Sequence, residues 1–362
     1  MRRRRAVSAL PRILALAYGL LIAYACLNPF SGWRDPGLPL LDFLSAPWPR
    51  YYTGLDLALN MLGFVPFGFV LAPALPRRLA PLATALLAAL LAGALSLGLE
   101  IIQNYLPSRV PSNVDLGCNT LGALLGAVAG ASWGDALFDR RGGLHRWRQR
   151  RVLPGPVGDV GLVLLGFWLL AQLPPGGPLF ATGDLRELLA LPALPFDPQR
   201  YMRLEAAVTA ASLLATGLLA RQLMREARLL PILALLLAGI AAKSLATASF
   251  FLPGEPLHWA TPGAQAGLLA GAPALALALC LPADLRQGLA SLTLLAATAL
   301  ANLLPENPYL ASDHLVREGH FLNFHGLTEL VSALWPFLAL AQLSALGRQV
   351  LERRRDSQPP LL

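Results

Sequence analysis

The chain predicts an all-α fold, a polytopic transmembrane helical bundle of about ten membrane-spanning helices with both termini cytoplasmic. Three observations carry this. Of 362 residues, 55% are hydrophobic and only 14% charged, where a soluble domain carries about a quarter charged residues. Apolar runs of about twenty residues, the length that crosses a bilayer core, recur along the whole chain. The basic residues, all Arg except Lys243, cluster in alternate short loops between those runs.

Taken in order, the predicted spans are 9–29, 56–75, 79–102, 116–138, 157–173, 204–220, 229–251, 263–281, 287–304 and 326–346. The first follows Arg2 to Arg5 and has the outline of a signal peptide; the side assignment needs it as an uncleaved helix. With ten spans, 21 arginines fall on the side of the termini and 7 on the other. Positively charged loops stay in the cytoplasm, so both ends are expected inside. The most basic loop, RRGGLHRWRQRR at 140–151, reads as an anionic-lipid anchor and topology signal in preference to a nucleic-acid site.

The expected organisation is a four-helix domain over 1–138, a basic cytoplasmic loop over 139–156, a second four-helix half over 157–282, and two further helices with a basic tail over 283–362. Tyr105-Leu106-Pro107 is echoed by Phe251-Leu252-Pro253. Shifting by that interval, 146 residues, lays spans one to four on spans five to eight. This suggests a parallel 4+4 repeat with a degenerate second half.

Polar residues gather in the first half. Ser96, Glu100 and Gln103 share one face of the third span; Asp115, Asn119, Gly122, Gly126 and Gly130 share one face of the fourth; Asp56, Asn60 and Gly63 share one face of the second. Arg78 and Glu100 are 22 residues apart, roughly 33 Å of helix, so Glu100 is expected near the outer interface. Acidic and amide side chains inside membrane helices normally face protein or a wet cavity. The glycine series allows close helix approach, and Pro66 removes one backbone hydrogen bond beside Asn60. Together they predict an outward-facing polar pocket.

At these residues the sequence resembles the VanZ-like family of bacterial membrane proteins. The likeness runs through Asn60, Pro66, Gly68, Glu100, Gln103, Arg109, Asp115, Asn119, Gly122 and Gly126, and covers about the first 135 residues. The resemblance implies the cell envelope as the working context; the family's namesake is associated with resistance to the glycopeptide antibiotic teicoplanin.

Three functions stay open. The first is binding of an amphiphilic envelope molecule (a lipid-linked precursor, a lipid or a glycopeptide-like antibiotic) by Asn60, Glu100, Gln103, Arg109, Asp115 and Asn119. The second is an enzyme acting on a lipid head group, with Glu100 and Asp115 as acid and base. The third is a lipid or small-molecule transporter. No cofactor or nucleotide fingerprint is present, and nucleic acid is not an expected partner. Cys26, Cys118 and Cys280 read as small apolar side chains. Asp313, His314, Glu318, His320, His325 and His258 lack metal-ligand spacing. Glu205, Lys243 and Glu329 are charges inside spans, and a Lys243–Glu205 or Lys243–Glu329 pair would offset their burial.

Overall fold

A computed structural model describes residues 9–37, 39–48, 54–76, 78–138, 142–174, 176–186, 189, 191–192, 194–226, 228–248, 255–305 and 319–356. The helices are α1 (Leu10–Leu27), α2 (Asp42–Ser45), α3 (Gly54–Ala74), α4 (Pro81–Gln103), α5 (Asn113–Phe138), α6 (Gly143–Arg151), α7 (Pro156–Leu170), α8 (Pro198–Leu223), α9 (Leu229–Ala246), α10 (Pro262–Leu279), α11 (Ala283–Leu303) and α12 (Gly319–Asp356). Among the described residues there is no strand, only an isolated bridge between Val152 and Met224.

Among the described residues, eight helices are long and apolar enough to cross a membrane: α1, α3, α4, α5, α8, α9, α10 and the Gly326–Arg348 part of α12. The expected fifth and ninth spans are helices too, but of another quality. α7 has 15 residues. α11 has 21, with Asp284, Arg286, Gln287 and Asn302 diluting its apolar length. The chain is a membrane protein whose bundle buries polar groups and exposes apolar ones. On α4, Leu82, Leu86 and Leu90 are exposed while Ser96, Glu100 and Gln103 are buried. Such an arrangement suits a lipid solvent, where inward faces are the polar ones.

The chain divides into two compact units, Met1–Arg150 and Arg151–Leu362. In the first, α3 lies along α5, with α4 against α5 and α1 against α3. Gly122, Gly126 and Gly130 of α5 abut the carbonyls of Met61, Val65 and Phe69, and Gly68 abuts the carbonyl of Ala123. A Cβ at any of these would strike backbone, so the two helices meet with no side chain between them. Ile22, Phe64, Phe67, Ala92, Leu99 and Ala123 pack as an apolar cluster beside this seam. α3 continues through Pro66, and Gly63 O, one turn earlier, accepts a 3.0 Å hydrogen bond from the Tyr18 hydroxyl.

In the second unit α8 is central, packed by α10 and α11. The core holds Trp168, Phe180, Leu218, Leu219, Ile232, Trp335 and Leu343, and Trp335 Nε1 donates to Leu164 O at 2.8 Å. Its α8–α10 contact repeats the α3–α5 seam. Gly263, Gly267 and Gly271 abut the backbone of Met202, Ala206 and Ala210. Each of these six positions lies 141 residues after its counterpart: Gly263 after Gly122, Met202 after Met61, and so on. The register is therefore 141, not the interval of the Tyr105-Leu106-Pro107 echo, whose second member, 251–253, is outside the described residues. Two aromatic residues adopt positive φ, Phe30 (59°) and Phe180 (66°). Both stand in the loop after the first helix of their unit, and each is followed by a positive-φ glycine, Gly32 or Gly183. A bulky side chain seldom adopts this conformation, so its occurrence at both places adds to the likeness.

Candidate functional site

The polar residues of the first unit meet where α1 and α4 end and α5 begins. Ser112 starts α5: its hydroxyl accepts from the N–H groups of Val114 (3.2 Å) and Asp115 (3.3 Å), as a helix cap does. Its own N–H donates to Glu100 Oε2 at 2.8 Å. That bond brings the buried α4 carboxylate to the positive end of α5, where negative charge is favoured. One turn into α5, Asp115 Oδ1 accepts from Asn60 Nδ2 of α3 at 2.6 Å. A turn deeper, Asn119 Nδ2 donates to Ser96 Oγ of α4 at 2.9 Å. Asn119 Oδ1 is buried with no hydrogen-bond partner among the described residues.

The remaining two residues hold the chain that leaves α1. Gln103 Nε2 donates to Cys26 O at 2.9 Å. Arg109 donates from Nε to Asn28 O (3.0 Å) and from Nη2 to Ala25 O (3.1 Å). A cation at carbonyls of a helix C-terminus is favoured by the helix dipole. Burial lowers the pKa of the Arg109 guanidinium from its ordinary value, and the Cys26 thiol opposes that shift.

Cys26 packs beside the apolar cluster of the first unit, as its reading as a small apolar side chain expects, but sequence reasoning missed its place at the polar junction. Its carbonyl accepts from Gln103, and the carbonyls of Ala25 and Asn28 on either side accept from Arg109. Asp115 also acts on Glu100, and Asp56 acts on Asp115. No spacing rule links Cys26 to residues 74 or more positions away; only the folding of α1 onto α4 does. Ser112 went unnoticed too, although Ser before an apolar run is a helix-start signal.

Residues 16–133 match the family model VanZ/LLP1. Over these residues the first unit is similar to the VanZ-like family. No curated protein matches the chain, and no solved structure does. The VanZ-like match spans α1 to most of α5, the same helices that build the polar junction.

In the second unit, Lys243 and Glu205 act on each other electrostatically, as the expected pairing implies, and each also makes a hydrogen bond. Lys243 Nζ donates to Pro174 O at 2.9 Å, and Glu205 is bonded by the Thr261 hydroxyl. His258 Nδ1 lies 3.0 Å from Glu255 Oε2. Among the described residues no three His, Cys, Asp or Glu side chains are grouped to hold a metal. Asp313, His314 and Glu318 lie outside the described residues, as do the side chains of His320 and His325.

Proposed function

We propose that the VanZ-like unit binds the polar head of an amphiphilic envelope molecule at the junction of α1, α4 and α5, in a bacterial cytoplasmic membrane with both termini inside. The observation that supports this best is that Glu100 and Asp115 meet at Ser112, while Gln103 and Arg109 hold the carbonyls of Ala25, Cys26 and Asn28 at the same junction. A head group with acceptors would meet Arg109; one with donors would meet Glu100, Asp115 and the spare Asn119 oxygen. Lipid-linked precursors, lipids and glycopeptide-like antibiotics all carry such heads. On this reading, protection against such an antibiotic would follow from sequestering it or its target at the membrane surface.

A second reading has one observation of its own. Asp115 acts on Glu100 electrostatically, as in a paired acid and base. On this reading the unit modifies the head group. A transporter reading draws on the glycine seam shared by the two units.

Purified protein in nanodiscs, titrated with a short-chain lipid-linked peptidoglycan precursor, separates these. Saturable binding weakened at least tenfold by Arg109→Gln, with the precursor recovered unchanged, supports binding. Conversion of the precursor that stops in Glu100→Gln moves the assignment to the enzyme. Movement of labelled precursor across sealed vesicles moves it to transport. Absence of all three ends the proposal.

A further inference from the structure

α8 carries a continuous line of buried polar side chains. Tyr201, Glu205, Thr209, Ser212 and Thr216 follow one another at spacings of four, four, three and four, which places them on one helix face. All five are between 0% and 5% exposed. At 1.5 Å per residue the line runs for roughly 22 Å, most of a membrane core. Glu205 and Thr209 enter the space that Gly263 and Gly267 leave open on α10.

Two of these hydroxyls are held in an unusual way. Ser and Thr inside helices commonly bond the carbonyl four residues back. Thr247, Thr293 and Thr298 of this protein do so, at 2.8, 2.8 and 2.9 Å. Thr209 Oγ1 and Ser212 Oγ make no such bond and have no hydrogen-bond partner among the described residues, although both are buried. Buried hydroxyls ordinarily satisfy themselves, so these two are set for something that comes and goes.

Within the line stands a prepared carboxylate, Glu205. The Thr261 hydroxyl donates to Glu205 and accepts from Ala264 N–H at 3.1 Å, joining Glu205 to the positive end of α10. Lys243 of α9 is the charge that acts on Glu205. Among the described residues, α7, α11 and α12 bring no charged side chain that does. With the glycine spaces filled by Glu205 and Thr209 themselves, an amphiphile has no room. The nearby ammonium disfavours a metal cation. Water and the proton remain.

We propose that Glu205 is a proton-binding site of the second unit, reached through the hydroxyls of Thr209 and Ser212. A proton from the aqueous phase passes along water between these hydroxyls and adds to the Glu205 carboxylate; on release it returns to water, and no other bond changes. The position 141 residues before Glu205 is Phe64, an apolar side chain in the core of the first unit. The proposal therefore does not rest on the reading of the VanZ-like unit.

Infrared difference spectroscopy of the full-length protein in phosphatidylethanolamine–phosphatidylglycerol nanodiscs tests it, by recording the protonated-carboxyl band as pH is varied. Glu205→Gln is expected to remove one titrating component from that band, and Thr209→Val to displace that component in frequency. A band identical in wild type and Glu205→Gln overturns the proposal. Where Glu205→Gln does not fold, Thr209→Val and Ser212→Ala decide: a shifted component supports the site, and unchanged bands in both overturn it.

Discussion

Asn60 of α3 and Asp115 of α5 are joined by a 2.6 Å hydrogen bond, one residue before Met61, whose carbonyl meets Gly122. The close approach made possible by glycine thus delivers two polar side chains to each other at the end of the same seam. Replacing Asn60 by Leu leaves Asp115 without that donor. The expected loss is about 1–3 kcal/mol, read from chemical unfolding in detergent. Asn60→Leu with wild-type stability would show that the bond is idle.

Gly126 has the carbonyl of Val65 against it, whereas Gly117 on the same helix has open space. Gly126→Val should force α3 and α5 apart and destabilise the first unit by about 1–3 kcal/mol. Gly117→Ala should be neutral or stabilise by about 0.5–1 kcal/mol, since a helical glycine is entropically costly. Gly267→Val tests the counterpart seam and should resemble Gly126→Val. The three are compared by thermal melts of purified protein.

Arg109 ties the loop before α5 to the carbonyls of Ala25 and Asn28. Arg109→Met should release the segment after α1. Proteolytic cleavage within residues 28–48 is expected to accelerate several-fold while the rest of the chain stays protected. Arg109→Lys should restore little, because a point ammonium does not reach two carbonyls as a planar fork does.

Glu100→Gln retains an oxygen for the Ser112 N–H and should fold. Removing the charge weakens the bond, by about 1–2 kcal/mol for the difference between charged and neutral acceptors. If head-group binding persists in this variant while Arg109→Gln abolishes it, the site reads anionic heads through the guanidinium.

The side assignment has a direct check. A green fluorescent protein fused after Leu362 should fluoresce, and alkaline phosphatase fused there should be inactive. At Val110, in the loop between α4 and α5, the two reporters should behave in the opposite way.

Much of this was legible in one dimension. Hydropathy marks a membrane helix because twenty apolar residues need no partner to declare themselves, and eight spans follow from it directly. Helical spacing put Ser96, Glu100 and Gln103 on one face, and all three are buried together. α7 was harder, because a short helix enclosed by its unit need not match the bilayer.

The partners were not legible. The sequence by itself determined that this is a membrane bundle with polar stripes on three helices of a VanZ-like region, since hydrophobicity and helical period are local properties. The tertiary structure decided which groups touch: Glu100 and Ser112, Asn119 and Ser96, and Gln103 and the Cys26 carbonyl. It also decided the 141-residue register of the second glycine seam. These depend on how closely two backbones approach, and that distance is set by every side chain absent from the seam, which no single stretch of sequence records.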